Sequence, residues 1–458
     1  MNFSYKTRYL FCVLIIIYLG SFLVYVSHLQ KPIPSLLTTT EGNIDISNYF
    51  LNFFPNAIYG FLFMAPFLIL HLYLRIKLPD ADLFILPAVA MLSGIGLMMM
   101  LRLAPDLASV RNEVNQAFLT THPGATVTDN VPILARLGTK HFISIVLGAL
   151  VMASSITLFN QRVFSWFSSK KYFWVFISAF LVFITLFFGT EINKRRLWIL
   201  GFQTVELVKL LMVFFIAGYL YERGKGIMLS RHIGLRSWAS YGGPFVLMCF
   251  FAVLPLFIQR DLGPTVLIFI VFLLMFYYSG NPISITLIFV LLVALGAYAS
   301  YHTGYPGIVH ERFEMMFDPF GRSESMSRAL WSISSGGIFG AGLGYGQPYR
   351  IPEVQSDYNF AAICEEMGWI GGMVVIFGYA IIIHRCFRIS LRTENTYKKI
   401  IAICVATFIG VQAFMIICGN LGAVPMAGVT LPFVSFGGSS MVINFLMLGM
   451  VLRISGDK

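Results

Sequence analysis

Long apolar runs alternate with short polar segments along the whole chain. Twelve runs stand out, near 9–27, 53–74, 83–101, 141–159, 172–190, 199–221, 242–258, 264–280, 283–300, 357–383, 399–418 and 433–453. Crossing the hydrocarbon core takes about 20 apolar residues of helix, and these runs approach or exceed that length. The pattern predicts an all-α polytopic membrane protein with about twelve transmembrane helices. The eighth and ninth runs are separated only by Ser279-Gly280-Asn281-Pro282, which predicts a tight helical hairpin. Two polar segments are long, 102–140 and 301–356, the second lying just before the third-last helix. Connections of this length are usually functional or disordered. Segment 301–356 contains Trp331, Phe339 and many Gly, unlike a disordered linker.

Composition agrees with the pattern. Of the 458 residues 57% are hydrophobic and 12% charged, against about 25% charged in a soluble domain. The net charge of +11 is therefore read as topology signal and headgroup contact, not nucleic-acid affinity. If both termini lie in the cytoplasm, 18 of the 32 Lys and Arg fall on cytoplasmic segments and 13 on outer ones. This bias supports N-in, C-in, yet the outer side is itself rich in Arg, from Arg102 and Arg111 to Lys194-Arg195-Arg196, Arg260, Arg312, Arg322, Arg328 and Arg350. An anionic ligand on the outer face would explain that excess. The six Cys show neither CxxC nor paired spacing, so neither a disulfide frame nor a zinc site is supported. The first apolar run lacks a small-residue cleavage site after it and reads as an uncleaved span.

Polar residues within the apolar runs are the candidates for chemistry. Glu206 and Lys209 stand at i,i+3 in TVELVKLLMVFF and share a helix face. They are either a buried ion pair tying helices together or the wall of a polar cavity. Asp261 in QRDLGPT is either a helix cap or a polar group facing the interior. Glu365 and Glu366 are adjacent and point about 100° apart on a helix, so one is expected to face a polar interior and the other a partner or the interface. The run GGIFGAGLGYG matches neither GxGxxG nor GxxxxGK[ST], and close packing explains it better than phosphate binding. Asp318, followed by Pro319, suits an N-cap. A helix start can also hold a working carboxylate, and one set among several Arg is suited to act as a general base.

These residues resemble a known family, the SEDS proteins (shape, elongation, division and sporulation; the FtsW/RodA/SpoVE group of peptidoglycan glycosyltransferases). GNLGAVPMAGVTLPFVSFGGSS resembles N-x-G-x-x-P-x-T-G-x-x-L-P-F-x-S-Y-G-G-S-S, with Ala427 for the Thr and Phe436 for the Tyr. SGGIFGAGLGYGQPYRIPEVQSDYNFAAICEE resembles G-G-x-x-G-x-G-x-x…P-E-x-x-x-D-F-x-F-A-x-x-x-E-E. QRDLGPT resembles Q-P-D-L-G-T, and KRRLWILGFQTVELVKL resembles R-R-W…Q-P-S-E-x-x-K, with Leu197 inserted and Thr204-Val205 for Pro-Ser. The resemblance covers about 190–456. It implies a ten-helix core in 81–458 with outer loop 301–356, and two additional transmembrane helices in 1–80.

The resemblance also implies a reaction. RFEMMFDPF resembles the family's outer-loop R…DP, which puts the catalytic carboxylate at Asp318. Substrate-binding candidates are Arg195, Arg196, Glu206, Lys209, Asp261, Arg312, Asp357, Glu366 and Ser439. The implied activity joins lipid II units into glycan strands at the outer face of the bacterial cytoplasmic membrane, in elongation, division or sporulation. The implied partner is a class B penicillin-binding protein transpeptidase. A divalent cation, Mg or Mn, is the one cofactor left open, with no ligand set legible. Two other readings stand beside this one: a lipid II flippase, and a non-catalytic scaffold for a transpeptidase.

Overall fold

The structure, a computed structural model, describes residues 46–121, 131–192, 195–199, 201–230, 259, 261–280, 283–304 and 307–457. The predicted spans 9–27 and 242–258 lie outside the described residues. Fifteen α-helices are described: α1 (Ile46–Lys77), α2 (Ile85–Thr121), α3 (Val131–Ala135), α4 (Leu137–Leu158), α5 (Gln161–Ser169), α6 (Lys171–Phe188), α7 (Thr204–Ser230), α8 (Leu262–Tyr278), α9 (Ile283–Thr303), α10 (Gly307–Phe317), α11 (Pro319–Arg322), α12 (Glu324–Gly336), α13 (Asn359–Arg392), α14 (Thr396–Asn420) and α15 (Gly438–Ser455). Among the described residues eight helices are long and apolar enough to cross a membrane, and α8 is a shorter apolar helix beside them. The chain is a multi-pass membrane protein.

Burial explains the composition of individual helices. The described parts of α7 and α14 are mostly buried and are apolar on nearly every face, apart from Glu206, Lys209 and Gln412. α6 instead exposes Phe173, Phe176, Phe180, Phe183 and Phe187 at helical spacing, and α9 exposes nearly every large side chain it carries. Such surfaces are stable in lipid, whose tails are as apolar as the side chains. α1 buries Phe63, Phe67, Leu70 and Leu74, with Phe67 against Phe445 of α15 at 6.2 Å between ring centroids.

Three features differ from the sequence-based expectation. The segment 102–140 does not begin as a loop, because α2 continues to Thr121 through Pro105. Its residues beyond 101 mix charged with apolar types and include many good helix formers, and apolar length alone does not mark where a helix stops. A small antiparallel sheet, β1 (Thr190–Ile192), β2 (Arg195–Ile199) and β3 (Phe202–Gln203), lies between α6 and α7. The span expected from 199 thus becomes helical only at Thr204. Third, the outer loop 301–356, in which the sequence suggested one helix start at Asp318, carries three helices, α10, α11 and α12.

The glycine-rich run packs against a break in α13. Gly368 has φ +68° and ψ −172°, which interrupts the helix. The freed backbone groups are met by the run itself. Ala341 N donates to Glu365 O at 2.8 Å and Gly342 N to Glu366 O at 3.1 Å, while Trp369 N and Ile370 N donate to Gly337 O and Ile338 O at 3.0 and 3.2 Å. Backbone groups away from water must find such partners. A Cβ on Gly340 would stand 2.2 Å from Glu366 O, so the approach requires glycine.

Candidate active site

The four sequence motifs meet around segment 421–437, the irregular connection between α14 and α15. Its Leu431, Phe433 and Val434 are buried. Its backbone is held by side chains from elsewhere: Gln412 Nε2 donates to Thr430 O at 2.7 Å, and Tyr379 Oη donates to Pro432 O. Phe436 N donates to Gln355 O at 2.8 Å. The start of α8 abuts the segment so closely that a Cβ on Gly263 would stand 2.0 Å from Ala427 O. Irregular backbone in a membrane protein is stable where it is buried in protein and its polar groups are paired.

Beside this segment lies a cavity of about 840 Å³ between α8, α9, α10 and α14. Its walls are apolar side chains such as Val266, Ile270, Val293, Phe313 and Phe414, and among the described residues Arg312 of α10 is the one charged group that lines it. Arg312 and Asp357 approach each other across Gly428. A Cβ there would be 3.2 Å from Arg312 Nη2 and 3.8 Å from Asp357 Oδ2. Burial pushes the Asp357 carboxyl up to about 6. Glu353 adds to the rise, whereas Arg312 and a hydrogen bond from Ser356 oppose it. Asn420 fixes the position of Asp357, donating from Nδ2 to Asp357 O at 2.9 Å and accepting from Ala361 N at 3.2 Å.

Asp318 follows α10 directly and is exposed. It caps α11 by accepting from Gly321 N at 3.0 Å, with Pro319 as the first helical residue. One carboxylate oxygen is thereby engaged, and the exposed group retains acceptor capacity. α10 thus carries Arg312 on the cavity wall and delivers the chain to Asp318.

The other candidates fall into separate places. Glu206 and Lys209 form a buried ion pair at 2.5 Å, and Lys209 Nζ also donates to Gln412 Oε1 at 2.8 Å. The pair ties α7 to α14 and, through Gln412, to Thr430. Asp261 is buried at the N-cap position of α8, but its side chain makes no cap bond. Its backbone carbonyl accepts from Thr265 Oγ1 at 2.7 Å. Ser439 Oγ accepts from Gln203 N at 3.0 Å, joining β3 to α15. In the sheet Arg195 pairs with Ile192 and Arg196 with Glu191, and the exposed Arg196 donates to Phe187 O. Arg260 lies outside the described residues.

Glu365 and Glu366 are both buried and both engaged within the protein, so neither faces a partner. Glu366 pairs with Arg102 Nε at 3.0 Å, and Glu365 Oε1 accepts from Gln347 N at 2.6 Å. Arg102, counted among the outer cations from sequence, is 3% exposed and donates to Gly344 O and Gly346 O at 3.3 Å each. Two organising residues escaped the sequence reading, Gln412 and Asn420. The available signal was an amide inside or at the end of an apolar run, which is costly in a membrane unless it has a partner. Among the described residues no group of three or more His, Cys, Asp or Glu is placed to hold a metal ion.

Comparison with known proteins accords with this geometry. The model of the FtsW/RodA/SpoVE family, described as cell cycle proteins, matches residues 126–458. A peptidoglycan glycosyltransferase RodA of Mycobacterium tuberculosis is 30% identical over 417 residues, covering 87% of this chain and 82% of that protein. The stage V sporulation protein E of Bacillus subtilis is 28% identical over 309 residues, covering 65% of this chain and 82% of that protein. Among solved structures, Thermus thermophilus RodA aligns with a TM-score of 0.55 at 22% identity, over 82% of this chain and 96% of that one. A structure titled as the structural coordination of polymerization and crosslinking by a peptidoglycan synthase complex aligns with a TM-score of 0.58 at 22% identity, over 78% of this chain and 96% of that one. With its four motifs gathered around one buried segment and a family match over most of its length, the chain belongs to the FtsW/RodA/SpoVE family of cell cycle proteins.

Proposed function

We propose that this chain is a peptidoglycan glycosyltransferase that polymerises lipid II into glycan strands at the outer face of the bacterial cytoplasmic membrane. The observation that carries the reading furthest is the apolar cavity with Arg312 as the one charged wall residue among those described. An apolar volume edged by a guanidinium suits a polyprenyl tail ending in a diphosphate. It does not suit the passage of a polar headgroup, so it favours a transferase over a flippase.

The donor is a growing glycan on undecaprenyl diphosphate, and the acceptor is the 4-hydroxyl of lipid II. Asp318 accepts the hydroxyl proton as that oxygen attacks the donor anomeric carbon. The new glycosidic bond forms with inversion as the bond to the diphosphate breaks. Negative charge collects on the departing diphosphate, where Arg312 offers a fixed positive charge. Arg195 and Arg196, on β2, are further candidates for that role. Both termini are taken as cytoplasmic, which puts Asp318 and Arg312 outside. A class B penicillin-binding protein is the proposed partner, crosslinking the strands this chain makes.

The test is reconstitution of wild type and Asp318→Asn with the candidate transpeptidase and lipid II, with glycan polymer resolved on a gel. Wild type should make polymer and a folded Asp318→Asn none, a loss of at least about 100-fold for a general base. Equal polymer from both would reduce Asp318 to the cap of α11.

A further inference from the structure

The cavity, the buried ion pairs, the aromatic face of α6 and the orphaned polar groups of the core leave one arrangement without an assigned role. Arg312 and Asp357 face each other across a glycine and do not close. Among the described residues Arg312 makes no hydrogen bond and no ion pair within 4.0 Å. The Asp357 carboxylate lies near enough to act on it electrostatically. Gly428, at φ +65°, stands between the two groups.

We propose that Asp357 is a positioning residue that acts through Arg312, orienting its guanidinium toward the diphosphate of a polyprenyl diphosphate without neutralising it. This rests on the reading of the chain as a transferase of polyprenyl-diphosphate-linked sugars. A closed, bidentate pair would satisfy the guanidinium and leave less of it for a ligand. An unrestrained arginine would lose side-chain rotamer freedom on binding. A carboxylate held a short distance away reduces that loss and leaves the N–H donors available.

Asp357 is suited to this role because its backbone is fixed. Asp357 N donates to Glu353 O at 3.0 Å, Asn420 holds its carbonyl, and α13 begins two residues later. Glu353 itself adopts φ +56°, a conformation that a non-glycine residue holds only where its surroundings enforce it. Gly428 keeps the space between the two groups free of a side chain.

The experiment uses the purified full chain in detergent, with farnesyl diphosphate as the probe and calorimetry as the readout. Wild type, Asp357→Asn, Arg312→Gln, the double variant and Gly428→Ala are compared. Asp357→Asn should bind about tenfold more weakly, within the range that coupled neighbours show. The double variant should bind no more weakly than Arg312→Gln alone. Gly428→Ala, whose Cβ crowds Arg312 Nη2, should also weaken binding and serves if Asp357→Asn does not fold. A residue that merely braces the fold would lose thermal stability with its affinity, whereas Asp357→Asn should keep the wild-type midpoint or exceed it. Wild-type affinity in Asp357→Asn, or losses that simply add in the double variant, overturns the proposal. So does failure of wild type to bind the probe. The same preparation is given lipid II and the transpeptidase: absence of polymer with probe binding and coupling intact overturns the polymerase reading and leaves the Asp357–Arg312 assignment standing.

Discussion

Arg102→Met makes a quantitative test of how α2 is held to the glycine-rich run and to α13. Arg102 and Glu366 are both almost wholly buried, with side chains 3% and 0% exposed. Arg102 also holds Gly344 and Gly346 by their carbonyls. Removing the cation leaves the Glu366 carboxylate buried opposite a thioether. Breaking a buried pair from one side costs about 3–5 kcal/mol, most of it from the charge left behind. The second partner of Arg102, Asp106, is 33% exposed and can recover part of its hydration, so it adds little. Arg102→Met combined with Glu366→Gln removes both charges, and about 2 kcal/mol or more of the loss should return. The assay is a denaturant titration in micelles at fixed detergent concentration, followed by tryptophan fluorescence. A double variant as unstable as Arg102→Met, or less stable, would refute the argument, because the loss would then come from packing and the carbonyl contacts and not from an uncompensated charge.

The Asp357 carboxyl carries a pH signature. Its folded value of about 6 lies above the ordinary 3.8 because burial disfavours the ionised form. The folded state then holds the proton more tightly than the unfolded state, so this group's contribution is fully favourable below about pH 4 and is lost as pH rises through 6. Asp357→Asn should therefore be more stable than wild type at pH 7.5, by at most about 3 kcal/mol, and should lose that advantage below pH 4. Affinity for farnesyl diphosphate, measured between pH 5 and 7, should show a contribution from Asp357 ionisation that is absent in Asp357→Asn. Gly263→Ala sets a Cβ 2.0 Å from the Ala427 carbonyl and should destabilise by at least about 1–3 kcal/mol in a thermal melt. Gly296→Ala in α9 meets no atom within 4 Å and should stabilise by about 1 kcal/mol or less through helix propensity.

Apolar length was enough to read most of the helices, because each must satisfy its own backbone in lipid and so declares itself as a long run. The same rule hid what satisfies its backbone differently. Strands β1 to β3 are too short to give a periodic signal, and Thr190 to Gln203 read as the flanks of two spans. α2 beyond 101 mixes charged with apolar residues and reads as loop. At the site, Arg312, Asp357 and Asp261 could be named from motif matches, but not their neighbours: Gly428 enters only because three elements converge on it. A linear charge tally counts Arg102 among the outer cations but does not show that Glu366, 264 positions later, is its partner. The reverse holds for Glu206 and Lys209, whose i,i+3 spacing made the pair legible before any coordinates.

The break at Gly368 bears on how the protein enters the membrane. A translocating helix ordinarily arrives with its backbone already closed on itself. α13 cannot do so at 365–370, since two of its carbonyls and two of its amides are bonded to residues 337–342. Those residues are made first, so the receptor for the interrupted helix precedes it out of the ribosome. Residues 337–370 are therefore expected to insert as one unit, and separating the glycine run from α13 by a long insertion near Ser356 should retard membrane integration before it affects the chemistry.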